Sequence, residues 1–185
     1  TSFCGRQELP PPWVFGPWKS RDWTTENQQT AEEDIVMGRY HHLAGTVKLI
    51  DAAWETYNQC FTFDEKRWPD PDALIHKIHQ LGYKLILWIS PWLFKYDEDS
   101  PTYTECVESG YFIKNPDGEV YVHRLANSPD LFGTCIDFTN PEACSWWQDH
   151  IRRIVHLGVD GFKTDFGEQI PDDAVFYDGS TGHEM

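Results

Sequence analysis

NPEACSWWQDHIRRIVHLGVDGFKTDF, Asn140 to Phe166, holds a complete helix–strand step and ends on two charges. Asn140 is suited to cap a helix, Pro141 to open it, and Glu142 to sit in its first turn. Ala143, Trp147, Ile151 and Val155 then recur as one apolar stripe, and Gly158 suits a left-handed stop. Beyond that stop a strand is predicted, and its side chains alternate. Gly161, Lys163 and Asp165 share one face, and Phe162, Thr164 and Phe166 the other.

Upstream, Asp70-Pro71-Asp72-Ala73 leads into LIHKIHQLG and then YKLILWIS by the same rule. Leu74, Ile75, Ile78 and Leu81 form the stripe, and Gly82 the stop. Both strands are near-continuous apolar runs, as expected of parallel strands covered by helices. Two earlier strands are predicted at Trp13-Val14-Phe15-Gly16 and at Thr46 to Asp51, with a weakly helical segment from about Glu26 to Tyr40 between them. The organisation is four strand–helix steps, the fourth helix falling beyond Met185. Such repeats imply an α/β fold with a parallel sheet. An open doubly wound sheet is one form, although no Gly-rich phosphate fingerprint follows any strand. The other is a (β/α)8 barrel, of which residues 1–185 would be the N-terminal part, strands one to four. The connection after strand three is long, about 94–139. Within it YFIKNPDGEVYVHR reads as a hairpin closed by Asn115-Pro116-Asp117-Gly118, part of an ordered lid or cleft wall.

Thirty acidic against fifteen basic residues give a formal charge of −15. That argues against nucleic acid and against anionic membrane surfaces as partners. No apolar run approaches the ~18 residues of a membrane span, and TSFCGRQELPPP lacks the pattern of a secretory signal. The absence of an initiator Met suggests a start inside a longer protein, and a cytoplasmic location is expected. Cys4, Cys60, Cys106, Cys135 and Cys144 show no zinc spacing and read as unpaired thiols of a reducing compartment. The pairs His41/His42 and His76/His79 lack companion ligands and read as surface histidines, so neither a metal nor another cofactor is expected.

Lys163 and Asp165 would point into the barrel axis near its mouth, their Cα atoms roughly 6.5–7 Å apart. A buried ion pair is the plain reading, but desolvation makes such a pair a poor stabiliser. An ammonium beside an aspartate also keeps the carboxylate ionised, as a nucleophile requires. Strand two ends in Asp51-Ala52-Ala53-Trp54 and strand three in Trp88-Ile89-Ser90-Pro91-Trp92. Carboxylates, a lysine and Trp converging on one mouth suit a polyhydroxylated ring.

GVDGFKTDFGEQIP resembles the nucleophile signature of glycoside hydrolase family 31, in its α-xylosidase-like branch with Lys-Thr-Asp-Phe-Gly-Glu. IDAAWETYNQCFTFDEKRWPDP resembles that family's strand-two region, LILWISPWL its strand three, and CIDFTNPEACSWW the segment before the next helix. The resemblance runs in order along nearly the whole chain. It implies a (β/α)8 barrel and a retaining α-glycoside hydrolase acting on α-linked oligosaccharides, most of all α-xylosides, with α-glucosides or other α-glycosides as the alternative. Asp165 would be the nucleophile. Lys163, Asp51, Trp88 and Trp23 would bind the sugar, and Glu168 would orient or support. Trp54, Trp68 and Trp92 would pack the loops. No residue here matches the family's acid/base Asp, which belongs to a later strand, so the chain alone is expected to be inactive without the rest of the barrel. A homo-oligomer of the full-length enzyme is left open. Two other classes compete: a Schiff-base enzyme using Lys163, and a barrel that binds carbohydrate without turnover.

Overall fold

The computed structural model describes Gly5 and residues 8–52, 54–125 and 128–184. Its main sheet has four parallel strands: β1 (Trp18–Lys19), β2 (Val47–Ile50), β3 (Lys84–Ile89) and β7 (Gly161–Thr164). The helices between them are α1 (Gln28–Tyr40), α2 (Pro71–Gln80) and α4 (Pro141–His156). The strands lie side by side in chain order, β1-β2-β3-β7, with every neighbouring pair parallel. A doubly wound sheet reverses its order at a switch point; a barrel does not. This is a segment of a barrel wall.

Local chemistry sets the helix ends. Asp70 accepts from the Ala73 amide at 3.0 Å and Asn140 from that of Glu142 at 3.0 Å, each followed by Pro at the first helical position. Gly82 and Gly158 end α2 and α4 at φ +73° and +108°, a region costly for any residue with a Cβ. The first helix starts at Asn27, which exchanges hydrogen bonds with Thr30 in a capping box.

Between sheet and helices lies the principal core. Ile50, Leu85, Leu87 and Ile89 meet Ile35, Leu74, Ile75, Ile78 and Ile154, with Phe162 and Trp147 packed against them. On the opposite face Val47, Leu49 and Ile86 gather around Trp13. Gly161 stands beside Ile86, where a Cβ would lie 2.9 Å from the Ile86 Cδ1 and would make that side chain shift.

Two expectations are corrected. Trp13–Gly16 is not the first strand: Pro12–Phe15 forms a 3-10 turn, and the strand follows at Trp18–Lys19. Pro10 to Pro12 and Pro17 bracket that apolar run, and proline supplies no amide for a ladder. In α4, Ile154 is buried whereas Val155 is 49% exposed. Three steps of four residues drift about 120° around a helix of 3.6 residues per turn, so the stripe must include one step of three.

The described residues of the long connection have secondary structure of their own. It contains β4 (Trp92–Phe94), α3 (Pro101–Glu108), β5 (His123–Arg124) and β6 (Phe132–Cys135), with the three strands in an antiparallel sheet of order β4-β6-β5. The hairpin lies between α3 and β5. Lys114 pairs with Val120, and the Asn115 amide donates to the Glu119 carbonyl at 2.8 Å. The segment after β7 then returns to it. Lys114 pairs with Val175 as well, and Asp137 accepts from the Tyr177 amide at 2.6 Å. Trp88, Trp92, Phe94, Ile113, Ala174 and Phe176 join this roof to the sheet. Cys60, Cys106, Cys135 and Cys144 are free thiols, and Cys4 lies outside the described residues.

Candidate active site

The register aligns the polar residues. Trp88 of β3 is the partner of Lys163 on β7, and Ile50 at the end of β2 is the partner of Leu87. Asp51 therefore continues the row that Trp88 and Lys163 occupy, at the C-terminal ends of three adjacent strands. In that row Lys163 donates to Asp51 Oδ2 at 2.8 Å, and its ammonium stands 3.4 Å from Asp165 Oδ2. Trp88 Nε1 donates to the same Asp165 oxygen at 2.9 Å.

Asp165 is held from both sides. Its own amide donates to the Ile89 carbonyl at 3.0 Å, extending the ladder one residue beyond β7. Its Oδ1 accepts from the Phe166 amide at 3.1 Å. Phe166 takes φ +61°, turning the chain back over the mouth. There its carbonyl accepts from Trp92 Nε1 at 2.8 Å, and its ring meets Trp88 and Phe94 edge-on. Alternation alone would set Phe166 on the face opposite Lys163 and Asp165; the left-handed turn sends it to the roof instead. A non-glycine residue in that region costs about 1–2 kcal/mol. The Trp92 hydrogen bond and the aromatic contacts over-determine it.

The charges divide unequally. Burial raises the Asp165 pKa, but the Trp88 hydrogen bond, the Lys163 charge and the Phe166 amide together hold it below the ordinary carboxylate value. For Lys163 burial acts downward, and the Asp51 hydrogen bond and charge, then Asp165, hold it above the ordinary lysine value. Lys163 and Asp165 side chains remain 38% and 39% accessible. A ligand can reach both from the open side of this wall. Chemically the cluster offers an ionised carboxylate with lone pairs to spare, fixed by three donors, beside a cation bridging to a second carboxylate.

The remaining predicted site residues, Trp23 and Glu168, stand on loops and not in that row. Trp23 sits half exposed in the loop after β1, its carbonyl accepting from Arg67 at 3.0 Å. No hydrogen bond joins it to the Asp51–Lys163–Asp165 cluster among the described residues. Glu168 is exposed and lines a different cleft of about 650 Å³ with Pro91, Ile136, Phe138 and Phe176. Trp54, Trp68 and Trp92 are buried, and Trp54 Nε1 donates to the Trp88 carbonyl at 2.8 Å, backing the residue that contacts Asp165. His76 meets Gln80, and His79 meets Asp160.

Sequence reading missed a second charged group. Lys48 of β2, fully enclosed, pairs with Glu26 and Asp34 behind the sheet. The signal was a lysine within the apolar run VKLI.

Fold and site define a (β/α) barrel wall that gathers carboxylates, a lysine and an indole at the ends of its strands. The chain belongs to glycosyl hydrolase family 31: residues 7–184 match the family's TIM-barrel domain. Alpha-xylosidase XylQ of Lactiplantibacillus pentosus is 35% identical over 97% of this chain and 23% of its own length. An alpha-xylosidase of Emericella nidulans is 34% identical over 100% of this chain and 24% of its own length. The cycloalternan-degrading enzyme of Trueperella pyogenes, solved in complex with a covalent intermediate, superposes with a TM-score of 0.80 at 27% identity, over 99% of this chain and 28% of that one. The chain thus spans about a quarter of the length of these relatives.

Proposed function

We propose that this chain supplies the nucleophile and part of the sugar-binding pocket of a retaining α-glycoside hydrolase whose preferred substrates are α-xylosides. The observation that carries this reading is the Asp165 carboxylate. It is ionised, accessible and aimed by Trp88 Nε1 and Lys163 at the C-terminal end of β7. Asp165 attacks the anomeric carbon, the glycosidic C–O bond breaks, and a second carboxylic acid protonates the departing oxygen. Water then releases the sugar from the ester; in retaining enzymes the two carboxyl groups stand about 5–5.5 Å apart. Asp51, paired with Lys163, binds sugar hydroxyls, and Trp88 walls the ring.

The α-xylosidase names of two relatives support the substrate class. The covalent intermediate of the Trueperella relative supports the double displacement. A Schiff-base role for Lys163 is disfavoured, because such an amine must lose its proton and here two carboxylates stabilise the ammonium.

An activated fluoroglycoside of xylose, incubated with the full-length enzyme and followed by peptide mapping, should label Asp165. Asp165→Ala should lower kcat by at least ~10³-fold. Label on another carboxylate would refute the assignment. A kcat/KM on p-nitrophenyl α-xyloside below that on the α-glucoside would move the substrate.

A further inference from the structure

The strand that ends in Asp51 also carries a charge the proposed chemistry does not use. Lys48 lies three residues earlier on the helix-facing side of β2, its side chain 0% exposed. Its ammonium pairs with Glu26, and with Asp34 Oδ2 at 3.0 Å. Glu26 is itself enclosed, with Oε2 lacking a hydrogen-bond partner among the described residues. Burial raises its pKa against the pull of Lys48. Such a group is a poor stabiliser, and an apolar residue like the neighbouring Ile50 would fill the same face without desolvating charge. Its place in the fold is better explained by what it holds.

What it holds is the loop between β1 and α1. Asp34, on α1, takes a two-pronged pair from Arg21, Nε to Oδ2 at 2.9 Å and the terminal nitrogen to Oδ1 at 2.8 Å. The segment from Arg21 to Glu26 is therefore fastened at both ends to one cluster. Inside it Asp22 closes a turn by accepting from the Thr24 amide at 2.9 Å, and Trp23 within that turn is half exposed. Lys48 lies in β2, whose next residue beyond Ile50 is Asp51, so the cluster ties the loop to the strand that carries Asp51.

We propose that Lys48 is a positioning residue: through Glu26 and Asp34 it fixes the Trp23 loop relative to Asp51, so that indole and carboxylate address one sugar. This rests on the glycosidase reading and extends it to residues that never touch the substrate.

The test is a double-mutant cycle in the full-length enzyme. Lys48→Met is combined with Glu26→Gln, so that no unpaired charge remains, and each background is crossed with Trp23→Ala. The Lys48→Met/Glu26→Gln enzyme should show KM for p-nitrophenyl α-xyloside raised about tenfold, with kcat lowered less than ~3-fold. Adding Trp23→Ala should then change KM by less than ~2-fold, although in the wild-type background it raises KM by about tenfold. An unchanged KM, or effects of cluster and Trp23 that multiply, would overturn the proposal. If the combined variant does not melt cooperatively, Arg21→Met, which releases the outer anchor alone, is run through the same cycle with the same criteria. Fluoroglycoside labelling of the wild type separates the two readings. Labelled Asp165 with independent effects sinks only the role of Lys48, and a wild type with neither label nor hydrolysis sinks both.

Discussion

One indole hydrogen sets the state of the central carboxylate. Trp88 Nε1 gives Asp165 its strongest stabilisation as an anion, ahead of the Lys163 charge, while burial pulls the other way. On the proposed mechanism Asp165 acts only as the anion, so activity should be lost as pH falls through its pKa. Trp88→Phe keeps an aromatic wall and removes the donor; the Asp165 pKa should rise toward the ordinary value. The acidic limb of the kcat/KM profile should accordingly move to higher pH. At neutral pH the carboxylate stays ionised in both enzymes, so the position of the acidic limb is the readout. An unmoved acidic limb would count against Asp165 as the titrating group. Asp51, Lys163 and Asp165 were legible in the sequence because strand alternation and strand ends are local facts. The Lys48–Glu26 pairing was not, since it joins residues 22 apart across a sheet face where alternation alone predicts apolar packing.

Among the elements, α4 and β7 are joined by one glycine under two constraints. Gly158 takes φ +108°, and a Cβ there would lie 3.0 Å from Ile75 Cγ2 of α2. Gly158→Ala should destabilise the full-length protein by about 1–3 kcal/mol, seen as a lower thermal midpoint. Gly118→Ala, at φ +85° with nothing within 4 Å, should cost less because only the backbone is strained. The ends of α2 and α4 were legible because caps and stops act over four or five residues. The first strand was not. Trp18–Lys19 is two residues long, exposed, and defined only by pairing with Val47 and Lys48 nearly thirty positions away. The antiparallel sheet β4-β6-β5 escaped for the same reason: Trp92 meets Cys135 across more than forty residues, and no periodicity within either strand announces the other.

At the scale of the whole molecule, stability should carry an unusual dependence on pH. Glu55, in the loop after β2, accepts from the amides of Gln59 and Phe61 at 3.0 and 2.7 Å. Burial still outweighs those bonds, and with Asp97 nearby pushes its carboxyl from 4.5 up to about 8. Between those values the folded chain keeps a proton that the unfolded chain has lost. Its contribution is complete at low pH, declines as pH rises through that interval, and is gone above it. Glu55→Gln should flatten this decline in thermal midpoints of the full-length protein; an unaltered slope would show that another group is responsible. The roof over the site has a consequence in time. Lys114 must wait for Val175, about sixty residues later, and Asp137 for Tyr177. At synthesis rates of ~5–20 residues per second, the hairpin leaves the ribosome ~3–12 seconds before its partner strand exists. During that interval the apolar side of Ile113, later covered by Ala174 and Phe176, is open to chaperones and to neighbouring chains. The carboxylate and its cover are thus completed by the same late stretch of polypeptide.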